Sequence, residues 1–275
     1  MSEFLASLAQ YPFLQYAFAG CLLASIGCGV MGSYTYVKRI TFLAGGIAHA
    51  VLGGMGIAWF LGASPMLGAL AASVVAALLI GWIHLEWHHH QDTLIGAVWA
   101  IGMAIGVLFI SRTPGYNQDL MSYLFGNVLM VTPAELWLMA GLDAVILVLV
   151  FVLHKELLAV CFDTEFALLR GLPVRALYLL LLVMIALTVV LLIQVVGLIL
   201  VIALLTLPAS IARMYTRTLA GMMALASLLG ALFTTGGLAL SYPPDLPPGA
   251  TMILVAGVCY LAVLLLRGKL AGERA

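Results

Sequence analysis

The sequence predicts an all-α integral membrane protein, a polytopic bundle of about eight membrane-spanning helices, within a range of seven to nine. Hydrophobic residues make up 65% of the 275 residues and charged residues only 8%, whereas about a quarter of a soluble domain is charged. The mean hydropathy is +1.21. Because so little charge cannot cover a folded surface in water, we expect the lipid bilayer to be the solvent of this chain.

Apolar runs that are long enough to cross a membrane recur along the whole chain. A spanning helix needs about 20 apolar residues, and such runs lie near residues 13–37, 42–62, 66–87, 93–111, 134–154, 174–195, 197–212, 218–240 and 250–266. The stretch from 174 to 212 is open to two interpretations, either two spans that turn near Gly197 or one span and a short re-entrant piece. We expect residues 1–275 to form a single transmembrane domain.

The basic residues indicate which loops are cytosolic. With the N-terminus outside, the inner loops collect Lys38, Arg39, Lys155, Arg170, Arg175, Arg213, Arg217, Arg267, Lys269 and Arg274. Of the eleven basic residues, only Arg112 then falls outside. The positive-inside rule therefore predicts a cytosolic C-terminus, and an external N-terminus if the number of spans is odd.

Several classes of function are disfavoured by what the sequence lacks. The net charge is zero, so no basic surface suggests nucleic-acid binding. The chain has no GxxxxGK[ST] phosphate loop, no HExxH, and no GxSxG beside a plausible membrane histidine. We therefore expect that it is not an enzyme and does not hold ATP by itself.

Two glycine motifs lie inside apolar runs. The segment Gly27–Gly32 matches GxGxxG, but no strand precedes it, and Gly102–Gly106 matches GxxxG. Small residues allow membrane helices to approach closely. Both motifs are therefore interpreted as helix-packing surfaces.

The predicted inner loop after the fifth span contains a short amphipathic helix. Asp163 is placed to cap its first free N–H groups, Gly171 to supply the left-handed residue at its end, and Pro173 to stop it. Phe162, Phe166 and Leu169 fall on one face. The helix is either an ordinary interfacial loop helix or a coupling helix, near residues 163–171, that docks into a motor protein. In the second case its contact residues would be Asp163, Glu165, Phe166, Arg170 and Gly171.

Ionisable residues inside the membrane are candidates for function because their burial is expensive. His49 lies roughly 15 Å above the cytosolic edge of the second span, and a neutral imidazole is a good zinc ligand. The alternative is a buried histidine bonded to a backbone carbonyl. Cys28 should lie at a similar depth, either as a second ligand or as a packing residue. Asp143 is a further mid-span charge, either a structural partner or part of a pathway.

A cluster of polar residues marks the cytosolic junction between the third and fourth spans. His88, His89 and His90 lie between Glu86 and Asp92, and histidine-rich tracts can bind metal. They would either receive an ion that leaves the pathway or form a polar loop with adventitious affinity. Asp92 is also placed to be the N-cap of the next helix.

Four stretches resemble the permease subunits of bacterial ABC importers for zinc, manganese and iron. They are Val37–Ala50, Gln91–Gly96, Asp119–Asn127 and Gly197–Arg213, and they occur in the family's order over essentially the whole chain. The third stretch looks closest to the zinc members. The resemblance implies a type II ABC importer-like permease that moves a divalent metal ion, zinc or alternatively manganese or iron, and binds no cofactor.

The resemblance also implies partners and roles for residues. The expected partners are a second permease copy, two cytosolic ATPase subunits and an extracytoplasmic metal-binding protein, in a bacterial or archaeal cytoplasmic membrane. The helix near 163–171 becomes a coupling helix and His49 a favoured pathway ligand. The family commonly has an aspartate four residues before that histidine, where this chain has Gly45, which leaves the ion open. A secondary carrier or channel that needs no ATPase is the alternative function.

Overall fold

The computed structural model describes residues 2–86, 91–113, 126 and 128–272. Within these residues the chain is helical and contains no strand. The α-helices are α1 (Ser2–Gln10), α2 (Pro12–Lys38), α3 (Thr41–Phe60), α4 (Pro65–Glu86), α5 (Gln91–Arg112), α6 (Pro133–Val152), α7 (His154–Phe162), α8 (Thr164–Leu169), α9 (Val174–Val196), α10 (Leu198–Tyr215), α11 (Leu219–Ser241) and α12 (Pro248–Gly272), and Val128–Met130 forms a 3₁₀ turn.

Nine helices of the described residues are long and apolar enough to cross a membrane, namely α2 to α6 and α9 to α12. The all-α polytopic fold is thus confirmed, at the upper end of the predicted range of spans. The ambiguous stretch from 174 to 212 forms two helices that are separated at Gly197. This residue has φ 79°, a left-handed conformation that glycine adopts without steric cost, so the helix is interrupted there.

The chain divides into two compact units. Among the described residues, the first unit contains 2–36, 126, 128–143 and 194–272, and the second contains 37–86, 91–113 and 144–193. The first unit therefore holds most of α2 together with α10, α11 and α12. The second holds α3, α4, α5, α7, α8 and nearly all of α9. The prediction of a single transmembrane domain over residues 1–275 stays a prediction.

In the first unit, α2 packs closely against α10 and α11. A Cβ added to Gly29 would overlap the backbone of Ser227, and one added to Gly32 would overlap the carbonyl group of Leu205. A buried hydroxyl pair adds to this contact, since Ser25 Oγ and Thr234 Oγ1 lie 3.1 Å apart. The interpretation of the GxGxxG segment as a helix-packing surface is confirmed.

In the second unit, α3 and α5 pack backbone against backbone along four glycines, Gly53, Gly56, Gly102 and Gly106, which we call the glycine seam. A Cβ on Gly53 would lie 2.8 Å from the carbonyl oxygen of Gly102, and one on Gly56 would lie 2.6 Å from that of Gly106. The GxxxG motif therefore packs helices, as predicted. Because the contacting positions rise together along both helices, α3 and α5 run parallel.

Helix α4 returns antiparallel on another side of α3. Gly54 of α3 and Gly68 of α4 pack so closely that a Cβ on either would overlap the other's carbonyl group. Helix α3 is thus held between α4 and α5 by positions that have no side chain. This arrangement fixes the rotation of α3 and, with it, the direction in which His49 points.

Candidate metal pathway and coupling segment

His49 lies in the third turn of α3, half-buried, among small residues. It follows Thr41 by eight residues, which places it about 12 Å along the helix axis. Its neighbours Ala48 and Ala50 are buried. The imidazole Nδ1 is buried and has no hydrogen-bond partner among the described residues. Among the described residues, Nδ1 therefore does not make the structural hydrogen bond that the alternative interpretation requires.

An aromatic side chain of α5 covers the imidazole of His49. The ring of Trp99 lies parallel to it, with 4.1 Å between the ring centroids and 14° between the planes. The indole is held in turn by Met103, whose Sδ accepts a hydrogen bond from Trp99 Nε1 at 3.0 Å. Phe42, about two turns before His49 on α3, contacts the same indole at 6.3 Å between ring centroids. One face of His49 is thus covered by a ring that is itself fixed.

Gly45 lies one turn before His49 on the same face of α3. A Cβ added there would meet no described atom within 4 Å, whereas one added to the adjacent Gly46 would lie 2.7 Å from Ile95 Cγ2. The described structure therefore has room for a side chain beside His49, and this sequence leaves it unused. The imidazole is accompanied by no carboxylate from that turn.

The other predicted metal ligands do not belong to α3. Cys28 is buried in α2 of the first unit, and its part in metal binding stays a prediction. Asp143 of α6 is buried in the same unit, and its Oδ2 has no hydrogen-bond partner among the described residues. His88, His89 and His90 lie outside the described residues.

The prediction that Asp92 is the N-cap of its helix is wrong by position. Helix α5 begins at Gln91, so Asp92 lies inside the first turn, where it is exposed. A carboxylate there still interacts favourably with the positive end of the helix dipole. His84, one turn before His88 in the sequence, is half-buried in α4 and stacks on Tyr178 of α9 at 5.3 Å between ring centroids.

Among the described residues, no group of three or more His, Cys, Asp or Glu side chains is arranged to hold a metal ion. A structural metal centre requires about four protein ligands in a closed shell. The described part of the chain thus does not contain such a centre. A site with few ligands, which an ion enters and leaves, is compatible with what it contains.

The coupling segment, residues 163–171, is a short helix with defined ends. Asp163 Oδ1 accepts a hydrogen bond from the backbone N–H of Phe166 at 2.9 Å, which confirms the predicted cap. The helix itself covers only Thr164–Leu169, so it is shorter than predicted. Its C-terminus is a Schellman motif, in which Gly171 has φ 71° and Leu172 N–H donates to Ala167 O at 3.1 Å. Pro173 follows and leads directly into α9.

The apolar face predicted for this segment is exposed in the chain. Phe162, Phe166 and Leu169 are 64%, 44% and 89% exposed, while Ala167 is fully buried. The guanidinium of Arg170 lies over the ring of Phe166 at 4.7 Å. Together with exposed Glu165 these side chains form a mixed apolar and charged surface, which we call the coupling surface (Phe162, Glu165, Phe166, Leu169 and Arg170).

Lys38, at the end of α2, ties the junction between α7 and α8 to the start of α3. Its Nζ donates to Val160 O at 2.8 Å and to Thr164 Oγ1 at 3.4 Å. Burial raises the pKa of the nearby Cys161 thiol to about 11, and the Lys38 ammonium acts in the opposite direction. Since α3 begins at Thr41, Lys38 links the coupling segment to the turn that directly precedes the helix with His49.

Sequence reasoning missed Trp99 and the role of Lys38. A usable signal existed for Trp99, because it lies eight residues into α5 as His49 lies eight residues into α3. Two parallel helices with equal offsets place these rings at the same level. For Lys38 there was no such signal, since its partner is a backbone carbonyl more than 120 residues further along the chain.

Comparisons with known proteins cover nearly the whole chain. The ABC 3 transport family matches residues 10–267. A probable metal transport system membrane protein of Chlamydia trachomatis is 40% identical, over 94% of this chain and 88% of the relative. A manganese transport system membrane protein of Listeria monocytogenes is 36% identical, over 97% and 95%. The solved structure of PsaBC from Streptococcus pneumoniae in complex with Fab has a chain that is 31% identical, with a TM-score of 0.87 over 95% of this chain and 94% of that one.

Proposed function

We propose that this chain, which belongs to the ABC 3 transport family, forms the translocation pathway of an ATP-driven importer of divalent metal ions and that zinc is its preferred ion. Members of the family are membrane permeases of ABC transporters, and a separate subunit hydrolyses ATP. The absence of a phosphate loop from the sequence agrees with this division of labour. Family membership also favours the ATP-driven importer over a carrier that works without an ATPase.

The observation that carries the proposal is the state of His49. It is a half-buried imidazole inside a candidate span, and its Nδ1 has no hydrogen-bond partner among the described residues. Burying a polar group in an apolar environment without a hydrogen-bond partner costs roughly 2–7 kcal/mol. A site where an ion passes supplies the reason to keep such a group in the membrane.

The preference for zinc rests on the ligand that is missing beside His49. Imidazole nitrogen suits zinc, whereas carboxylate, carbonyl and water oxygens suit manganese. The position that commonly holds an aspartate in the resembled family is Gly45 here, and the space around it is open. A ligand set of imidazole without that carboxylate shifts the balance toward zinc, although named relatives of this chain are manganese transport proteins.

The proposed assembly contains more than this chain. We propose that two copies pair around the pathway, that a cytosolic ATPase docks on the coupling surface of each copy, and that an extracytoplasmic binding protein delivers the ion. The exposed Phe162 and Leu169 side chains support the docking step, since apolar side chains exposed next to charged ones are typical of protein-binding surfaces. The distribution of Lys and Arg residues supports a cytosolic position for this surface, and we propose that the membrane is a bacterial cytoplasmic membrane.

The test is zinc uptake by the complex of permease, ATPase and binding protein in proteoliposomes. We expect His49→Ala to lower uptake at limiting zinc at least tenfold while ATP hydrolysis and assembly of the complex are retained. The matched control is Ser73→Ala, which removes a buried polar group of α4 that hydrogen-bonds within its own helix at 2.8 Å. Unimpaired uptake by His49→Ala across zinc concentrations would remove His49 from the pathway.

A second arm of the same experiment separates the two classes of transporter. The permease alone, without ATPase, is placed in vesicles with a zinc gradient. We expect no flux above that of empty vesicles. Flux down the gradient through the permease alone would support the carrier or channel instead.

A further inference from the structure

We propose that Trp99 is a positioning residue for His49, fixing the imidazole for a divalent cation by stacking on one of its faces. The proposal rests on the proposed function, in which His49 contacts the transported ion. It goes beyond that function because it assigns the orientation of the ligand to a residue on a different helix.

The need for such a residue follows from the surroundings of His49 on α3. A helical side chain leans toward the preceding turn, where His49 meets only Gly45 and Gly46, and the residues directly beside it are Ala48 and Ala50. Small side chains cannot restrict the rotation of an imidazole about its side-chain bonds. Among the described residues no hydrogen bond holds Nδ1 either. The ring therefore depends on another helix for its orientation.

Trp99 meets that need geometrically. With 4.1 Å between centroids and 14° between planes, the stack blocks the imidazole from turning through the indole plane but leaves both ring nitrogens at the edge. Aromatic pairs in offset stacks contribute beyond their buried area. A ring that becomes positively charged through metal coordination gains a further attraction to the indole face.

The indole is itself held at two points. Its N–H donates to Met103 Sδ at 3.0 Å one turn further along α5, and Phe42 packs on it from α3. The backbones beneath are fixed as well, because a Cβ on Gly102 would lie only 2.6 Å from Ala50 Cα. Ala50 follows His49 directly, and Gly102 lies one turn after Trp99, so this contact sets the register of the stack.

A preorganised ligand binds more tightly because less freedom is lost on binding. The prediction is therefore specific to the concentration dependence of transport. With the complete complex in proteoliposomes and zinc as the probe, we expect Trp99→Leu to raise the KM for uptake about tenfold and to change the maximal rate less than twofold. Trp99→Phe, which keeps an aromatic face, should recover most of the affinity.

Two further variants make the test independent of folding. Met103→Leu removes the acceptor of the indole N–H and is expected to raise the KM about two- to threefold. Trp137→Leu removes a tryptophan that is 77% exposed on α6 and should leave the KM unchanged. If Trp99→Leu lowers the maximal rate at an unchanged KM, its role is structural and the proposal is wrong.

A double variant separates this proposal from the proposed function. If Trp99 acts through His49, adding Trp99→Leu to His49→Ala should produce no further change in uptake, since coupled residues are not additive. Additive losses would overturn the positioning role. Normal uptake by His49→Ala would instead overturn the metal pathway at His49, whatever Trp99→Leu does.

Discussion

The glycine seam and the coupling segment belong to the same unit, yet they are held together by opposite means. Along the seam, α3 and α5 touch through backbone atoms at positions that have no side chain. The coupling segment is defined by side-chain and backbone hydrogen bonds at its two ends, and most of its apolar side chains are exposed. The seam fixes the distance between the backbones of α3 and α5. The coupling segment keeps a short helix folded while its apolar side chains stay exposed.

The largest expected effect comes from adding one methyl group to the seam. Gly102→Ala places a Cβ 2.6 Å from Ala50 Cα, and because backbone cannot move aside cheaply, we expect a loss of about 1–3 kcal/mol in stability. The matched control is Gly96→Ala on the same helix, where a Cβ would meet no described atom within 4 Å. Thermal unfolding of the purified complex measures both. Equal shifts of Tm for the two variants would show that the seam is not tightly packed.

The next effect concerns the thiol at the junction of α7 and α8. With a pKa of about 11, Cys161 below pH 8.5 holds on the order of 100-fold less thiolate than an ordinary cysteine. Alkylation by iodoacetamide, followed by mass spectrometry of the peptide, should be slow at pH 8 and accelerate as the pH rises toward 11. Lys38→Met removes the opposing ammonium and should slow the reaction further at each pH. A faster reaction in Lys38→Met would contradict the contact described for Lys38.

The raised pKa of Cys161 also makes the stability of the folded chain depend on pH. The folded pKa of Cys161 lies above that of an unfolded cysteine, near 8.5, so the folded state binds the proton more tightly. The stabilising contribution is complete below about pH 8.5 and is lost as the pH rises through about 11. Cys161→Ala should remove this part of the alkaline loss of stability.

A moderate effect is expected from filling the space beside His49. Gly45→Asp adds a carboxylate one turn before the imidazole, at a position where a Cβ would meet no described atom within 4 Å. Since oxygen ligands favour manganese, the ratio of manganese to zinc uptake should rise about tenfold. Gly45→Asn is the control, because it has the same size and no charge. Identical ratios in the two variants would mean that no ion is bound at this turn.

The smallest effect comes from the cap of the coupling segment. Asp163→Ala removes the acceptor for Phe166 N–H, which is worth about 1 kcal/mol, and should weaken ATPase binding about fivefold. Thr218→Ala removes a comparable cap at the start of α11, where Oγ1 accepts from Gly221 N–H at 3.1 Å. Its ATPase affinity, measured by titration of the purified subunits, should not change. A similar loss in both variants would indicate general destabilisation instead of a docking role.

The contrast between the two regions also explains what the sequence was able to predict. The ends of the coupling segment depend on residues within ten positions of each other, so Asp163 and Gly171 were assigned correctly from local rules alone. The helices followed from hydropathy in the same way. Asp92 was predicted as the N-cap, but the helix begins one residue earlier, at Gln91. Helix starts predicted from sequence are uncertain by one or two residues.

These local rules do not predict which residues contact each other in the tertiary structure. The sequence indicated that Gly102–Gly106 packs against a helix, but it did not say which one, and the partner α3 decides that Trp99 covers His49. Lys38 was predicted only as a cytosolic charge. Its hydrogen bond to Val160 O forms because α7 packs beside the end of α2. Such contacts are set by the packing of whole helices, and a single sequence contains no direct record of them.

The parallel course of α3 and α5 has an electrostatic consequence for a moving cation. Each helix dipole is equivalent to about half a positive charge at its N-terminus, and the positive-inside rule predicts that both N-termini lie on the cytosolic side. Asp92 offsets this charge at α5, while the first turn of α3 contains no acidic residue and no side-chain cap. In the proposed pathway, an ion that leaves His49 for the cytosol would move up this potential gradient, and the ATP-driven cycle would have to supply the work.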